Sequence, residues 1–175
     1  ATSSGTTGLH AALTAVGVVR GDLVLAPSFS FIASANAIAH CGATPWFVDV
    51  AADSWCMSVP ALEWALRDQC TRRDGGAVHA ASGRRLAAIM PVHVLGNVAD
   101  MQPITSLARE FGVPVVADAA AAIGATYKGQ PLGELADLSV ISFNGNKTVT
   151  AGGGGAVVGR DSKLVDLVRH LTTTA

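Results

Sequence analysis

The sequence predicts an α/β fold built on a mostly parallel sheet, and two observations predict it. Short runs rich in Val, Ile and Leu alternate with helix-length segments along most of the chain. Half of the 175 residues are hydrophobic and only 14% are charged, against roughly 25% charged in an average soluble domain. Such a chain needs strands buried on both faces or a large surface covered by a partner. The length suits one well-buried core and gives no reason to expect two.

The elements follow in order. A first helix begins near Gly5 and runs through LHAALTAVGV, ending before Arg20–Gly21–Asp22. Leu23 to Ala26 is a short strand closed by Pro27. A helix from about Ser30 to His40 ends at Cys41–Gly42, and a strand follows at Pro45 to Val48. Val59 to Arg67 has the spacing of a third helix. The next segment, CTRRDGGAVHAASGRR (Cys70 to Arg85), is polar, glycine-rich and without periodicity, so it is expected to be a surface loop. Beyond it the pattern gives a strand at Leu86 to Val92, a helix at Met101 to Phe111 and a strand at Val113 to Ala117. Strands at Leu138 to Phe143 and Gly155 to Val158 and a last helix at Asp161 to Leu171 complete the chain.

Several function classes are disfavoured. No stretch approaches the roughly 18 unbroken apolar residues of a membrane helix, because the most apolar segment is broken by Pro114 and Asp118. Net charge is −1, and the only basic runs are Arg72–Arg73 and Arg84–Arg85. Nucleic acid is therefore not an expected partner. The three cysteines, Cys41, Cys56 and Cys70, form no CxxC pair. Neither a disulfide framework nor a metal site is expected, and a reducing cytoplasm fits best. The opening ATSSGTTG has neither the basic start nor the apolar core of a signal peptide, nor does it begin with Met. An internal piece of a longer protein is the expectation.

Three features carry chemistry, and each has a bland reading beside it. SSGTTGLH (Ser3 to His10) opens a helix, whose unpaired N–H groups and positive dipole end favour a phosphate. An ordinary Ser or Thr cap would look the same. In VVADAAAAIGA, Asp118 ends an apolar strand, where open α/β sheets bind ligands. A carboxylate there must meet a cation or several donors, and a protonated pyridine nitrogen would serve. It could equally cap the following segment. In SFNGNKTVTAGGGGAVVG (Ser142 to Gly159), Lys147 lies between a strand end and four glycines. A nucleophilic lysine must lose its charge, which a desolvated site allows, whereas most lysines are surface residues.

In this order the segments resemble the sugar aminotransferases of the DegT/DnrJ/EryC1/StrS family. SSGTTGLHAAL looks like the family's first helix, and GDLVLAPSFSFIASANAIAHCGATPWFVDV like its next βαβ stretch. PVHVLGNVADM, then VPVVADAAAAIGATYKGQPLGELADLSVISFNGNK with the glycine run, continue the likeness over almost the whole chain. The resemblance implies a three-layer α/β/α sandwich, the large domain of a fold-type I enzyme that uses pyridoxal 5'-phosphate. By that resemblance Lys147 matches the Schiff-base lysine and Asp118 the acid paired with the pyridine nitrogen. Gly5, Thr6 and Ser142 match phosphate-binding positions, with Thr7 adjoining them. Phe31 matches the aromatic lying over the ring, although a bare reading makes it core. Asn144 is near enough to orient phosphate or substrate. Where the family usually carries His or Gln near the cofactor's phenolic oxygen, Ala121 stands, and a methyl cannot donate that hydrogen bond. The Cys70 to Arg85 segment is also longer than the family pattern.

His93 could approach the site, but the simpler reading is a structural residue satisfied by backbone. His10, Trp46 and Trp55 read as packing. The expected activity is transfer of an amino group from an amino acid, by resemblance glutamate, to a nucleotide-linked keto sugar in polysaccharide, glycan or secondary-metabolite biosynthesis. The resemblance further implies a homodimer, a missing N-terminal segment and a C-terminal small domain outside these 175 residues. One rival is a dehydratase of the same fold, which carries His at the lysine position, so Lys147 argues against it. A non-catalytic regulatory or scaffold protein, or an inactive fragment, is the other.

Overall fold

The structure, a computed structural model, describes residues 1–174. It is an α/β/α sandwich. The chain order is α1 (Gly5–Ala15), β1 (Leu23–Pro27), α2 (Ile32–His40), β2 (Thr44–Val48) and α3 (Val59–Arg67). A hairpin of β3 (Cys70–Arg73) and β4 (Gly76–His79) follows, then β5 (Arg85–Ile89), α4 (Met101–Phe111) and β6 (Val116–Asp118). The last elements are a short hairpin, β7 (Thr126–Tyr127) and β8 (Gln130–Pro131), then β9 (Leu138–Ser142), β10 (Gly155–Val158) and α5 (Ser162–Thr173). Among the described residues no helix is long and apolar enough to cross a membrane.

The sheet is parallel at its centre. β1 pairs with β2 in register Leu25 to Trp46 and with β5 in register Leu25 to Ile89. β6 pairs in parallel with β9, and β10 returns antiparallel to β9. The β5 and β6 edges meet through single bridges, Ile89 to Val115 and Val92 to Asp118. Pro91 and Pro114 explain why these bridges do not merge into one ladder: each lends a carbonyl, to Asp118 N–H and Ile89 N–H, both at 2.9 Å, but has no N–H to return.

Alternation along the strands divides the core in two. Leu23 and Leu25 of β1, with Ile89, pack against Leu62 and Leu66 of α3 and Ile104, Leu107 and Phe111 of α4. Val24 and Ala26, with Met90, Val116 and Val140, pack against Leu9 and Leu13 of α1, Ile38 of α2 and Val168 of α5. Both faces of the central strands are dry, which is why their sequences run apolar without a polar alternate. Burial at roughly 25 cal/mol per Å² of apolar surface is the main force holding these layers together.

Three sequence expectations need correction. The first helix ends at Ala15, and Gly17 at φ 87° turns the chain earlier than hydrophobicity suggested. The Cys70 to Arg85 segment is not a loop but the β3–β4 hairpin, whose second strand adds antiparallel to β5 at Ala77–Leu86. Its turn residues Asp74 and Gly75 both have positive φ, 49° and 80°, the geometry for which Asp-Gly is suited. β3 is exposed beyond Cys70 and β4 is half-buried around a single enclosed residue, Ala77, so no hydrophobic period marks them. The β7–β8 hairpin was not anticipated at all. Gly112 is required by contact: a Cβ on this left-handed cap of α4 would lie 1.8 Å from the Gly75 carbonyl oxygen. This close approach docks the hairpin turn on the helix end.

Candidate active site

Three chain ends converge at one edge of the sheet: the start of α1, the end of β6 and the turn after β9. At α1, Ser4 and Thr7 form a reciprocal cap. Thr7 N–H donates to Ser4 Oγ at 3.1 Å and Ser4 N–H to Thr7 Oγ1 at 3.0 Å. Helix α1 is drawn tight against β9, because a Cβ on Gly5 would lie 2.9 Å from Ser142 Cβ. Only hydrogen at that position lets the strand end and the helix start stand side by side on one cavity wall.

The lysine turn is tied to the same helix. Thr2 and Gly155 exchange two backbone hydrogen bonds of 2.9 Å, so the residues before α1 run beside β10. Between β9 and β10 the chain closes on itself through Phe143 N–H to Gly154 O and Ala151 N–H to Phe143 O, both at 3.0 Å. Lys147 N–H bonds Asn144 O at 3.0 Å, which fixes the turn. The Lys147 Nζ lies 6.0 Å from the centroid of the Phe31 ring. Phe31 itself is 73% exposed at the lip of the cleft, ahead of α2.

Asp118 is the electrostatic centre. It is buried at 6% exposure, and among the described residues no cationic side chain forms an ion pair with it. Its Oδ2 accepts from Ser34 Oγ at 2.7 Å and its Oδ1 from Ala120 N–H at 3.0 Å. Burial pushes its pKa above the usual carboxylate range. The Ser34 and Ala120 hydrogen bonds and the positive charge of Lys147 oppose the rise without cancelling it.

Between these groups lies a cavity of about 530 Å³. Gly5 and Thr6 line it from α1, Phe31 from the lip, and Asp118 and Ala121 from the end of β6. Ser142, Asn144 and Lys147 line it from the β9 turn. Thr7 is the one expected site residue that does not reach this wall. Its hydroxyl is committed to the helix cap, bonding Ser4 and Ser3, so its contribution is to hold the cradle rather than to line it. Ser142 Oγ accepts from Asn144 N–H at 3.3 Å and keeps its proton for another partner.

Sequence reasoning missed Ser34, the polar residue among the buried residues of α2, which faces inward onto Asp118. From sequence His93 reads as satisfied by backbone, which holds for one ring nitrogen only: Ala99 N–H donates to Nδ1 at 3.2 Å, and among the described residues Nε2 has no partner. Trp55 is not simple packing either. It is half exposed at φ 62° and meets the Phe29 ring edge-on, centroids 5.0 Å apart, beside the cleft.

The residues fit a pyridoxal phosphate on an observation independent of likeness: a buried acid whose ionised form is short of a cation faces a lysine across a cavity that ends in a helix-start cradle. The comparisons agree. The chain is 41% identical to the GDP-perosamine synthase of Caulobacter vibrioides over 171 residues, 98% of this chain and 42% of that protein. It is 39% identical over 170 residues to a UDP-N-acetyl-3-dehydro-alpha-D-glucosamine 3-aminotransferase of Acidithiobacillus ferrooxidans, covering 97% and 42% respectively. The crystal structure of NtdA from Bacillus subtilis with bound cofactor PMP superposes with a TM-score of 0.81 at 30% identity, over 97% of this chain and 34% of that one. The chain thus spans about two fifths of the length of the sequence relatives it matches. The model of the DegT/DnrJ/EryC1/StrS aminotransferase family matches residues 1–175, and the chain belongs to that family.

Proposed function

We propose that the protein is a pyridoxal-phosphate-dependent aminotransferase that moves an amino group from an amino acid to a nucleotide-linked keto sugar. In this reading the 175 residues are an incomplete cofactor-binding large domain of a longer cytoplasmic chain that also has a further N-terminal segment and a C-terminal small domain. The observation that carries it is Asp118, a carboxyl group buried at a strand end with no ion-pair partner among the described residues, across the cavity from Lys147. The substrate class is supported by the two relatives, whose names are those of amino-sugar enzymes.

Each residue then has a task. The α1 backbone N–H groups near Gly5 and Thr6, with the Ser142 hydroxyl, hold the phosphate, where the helix dipole favours negative charge. Asp118 accepts a hydrogen bond from the protonated ring nitrogen and keeps it charged, and that partner supplies the cation its burial calls for. Phe31 covers one ring face, a contact worth on the order of 1 kcal/mol beyond burial. When bound, the cofactor supplies an electrophilic carbonyl carbon and an electron sink. Lys147 anchors it covalently, and its amine, once freed, holds and moves the proton at the reacting carbon of the substrate. Asn144 orients phosphate or substrate from the same turn.

The open lip supports a homodimer: Phe31 and Ile32, at 73% and 62% exposure, form an apolar edge that a second subunit would cover and use to exclude water from the cleft. The test is Lys147→Ala in the full-length protein, expected to abolish both the visible absorbance of bound cofactor and amino transfer. A variant that keeps the lysine-linked absorbance ends the assignment. A non-catalytic binder is distinguished by adding glutamate to the yellow wild-type protein. Bleaching indicates amino transfer, and persistent colour indicates binding alone.

A further inference from the structure

Two serines stand 4 positions apart at the start of α2, Ser30 just ahead of the helix and Ser34 in its first turn. Serine at a helix start ordinarily caps it. Here the capping position is Phe31, which has no side-chain cap bond, and Ser30 does other work. Its Oγ reaches the Phe31 carbonyl at 3.2 Å and Ser34 Oγ at 2.7 Å. Ser30 lines the same cavity as Asp118, while Ser34 lies behind the wall at 1% exposure.

The charged end of this row fixes its direction. Ser34 Oγ donates its proton to Asp118 Oδ2 at 2.7 Å. A hydroxyl has one proton to give and two lone pairs to accept with. With its proton on the carboxylate, Ser34 meets Ser30 as an acceptor, so Ser30 is the donor of the 2.7 Å bond between them. The row runs from the cavity wall through Ser30 and Ser34 to the carboxylate. Hydrogen bonds in such a row polarise one another in a low-dielectric site.

We propose that Ser30 is a positioning residue for Asp118: its proton, directed at Ser34, keeps the Ser34 proton on Oδ2 and so holds the carboxyl group as an acceptor. That this acceptor serves a protonated ring nitrogen rests on the function proposed above, whereas the row itself does not. Burial pushes the Asp118 carboxyl towards its protonated form, and the Ser34 bond opposes that push. Removing the Ser30 donor leaves the buried Ser34 oxygen under-satisfied and makes it a weaker donor to the carboxylate. The other titratable side chains lining the cavity are Lys147, from the turn after β9, and His93, from the segment after β5. The charge of Lys147 also opposes the push, and His93 meets Asp118 through backbone, its N–H donating to the Asp118 carbonyl at 2.9 Å.

The test follows the Asp118 carboxyl itself by carbon NMR of cofactor-free full-length protein labelled at the aspartate side chain. The signal is assigned by its loss in Asp118→Asn. Ser30→Ala should move the Asp118 titration midpoint upward, and Ser34→Ala should move it further. Ser30→Thr, which keeps the hydroxyl, should titrate as wild type does. Because Ser30 acts through Ser34, the double alanine variant should match Ser34→Ala alone. In equilibrium dialysis Ser30→Ala should also weaken pyridoxal phosphate binding by about two- to threefold, with no further loss once residue 34 is alanine. A midpoint indifferent to Ser30→Ala would overturn the proposal, as would serine effects that simply add. A loss of affinity that persists in the Ser34→Ala background would make Ser30 a direct ligand contact and overturn it too. If the midpoints move as expected while wild type binds no pyridoxal phosphate, the row stands and the cofactor assignment fails.

Discussion

Asp22 and Asp118 are each 6% exposed, yet they do opposite things at opposite ends of the sheet. Asp22 precedes β1. Its Oδ2 takes Arg85 Nη2 at 2.6 Å and Val19 N–H at 2.8 Å, and its Oδ1 takes Arg85 Nε at 3.1 Å. The charge is answered within the fold, and the two groups staple the α1–β1 connection to the start of β5. Asp118 ends β6 with two side-chain hydrogen bonds and, among the described residues, no ion-pair partner. The difference teaches that burial of an acid says little until its partners are counted. A paired one is architecture, and an unpaired one at a strand end is a candidate site for a ligand that brings the cation.

The comparison breaks first at Asp118→Asn. Transaminase turnover should fall by roughly 10²- to 10³-fold, the usual cost of losing one electrostatic partner of the reacting system. Cofactor-free protein should unfold no sooner, and up to about 2 kcal/mol later, because an uncompensated buried charge is gone. Its pH profile should change as well. A carboxyl whose pKa is raised on folding favours the folded state at low pH, and that contribution is lost as pH rises from the ordinary carboxylate range through the raised value. The asparagine variant should lack that loss in denaturant titrations across pH.

His93 next to Asp118 titrates with the opposite sign, which sharpens the contrast. Burial lowers its pKa from 6.5 to about 4. The unfolded chain therefore binds its proton first, and stability is lost as pH falls from 6.5 towards 4, by about 3 kcal/mol in all. Cofactor-free His93→Gln, followed by denaturation at neutral and acid pH, should lose less stability over that window than wild type does.

Asp22→Asn should do the reverse of Asp118→Asn. We expect about 1–2 kcal/mol lower stability, moderated because Arg85 is half exposed, with cofactor affinity unchanged. Smallest is Ser34→Ala, which removes the 2.7 Å bond to Asp118 and should weaken cofactor binding by about 1 kcal/mol, read by equilibrium dialysis.

Much of this arrangement was legible in the sequence because local rules wrote it. α3 and α4 begin and end where their hydrophobic spacing says, with Ser58 capping the first and Gly112 closing the second. Gly5 and Asp118 stand out as a candidate cradle and a candidate acid because each lies at an element boundary, and Lys147 as a candidate nucleophile because it lies in the turn between β9 and the glycine run. What stayed hidden depends on tertiary contact. Ser34 looks like any helical serine until the fold swings it onto an acid 84 residues away. The β3–β4 hairpin has no apolar period because most of its side chains meet water, and only Asp74–Gly75 announced it. Thr7 looked like a ligand residue because a cap and a phosphate cradle use the same small polar residues.

The central claim is a covalent link at one side chain, and borohydride reduction of the full-length protein with its cofactor, followed by peptide mass mapping, tests it most directly. Lys128, Lys147 and Lys163 are the lysines of this chain. The reduced pyridoxyl group is expected on Lys147; finding it on Lys128 or Lys163, or on no lysine of this chain, would contradict that link.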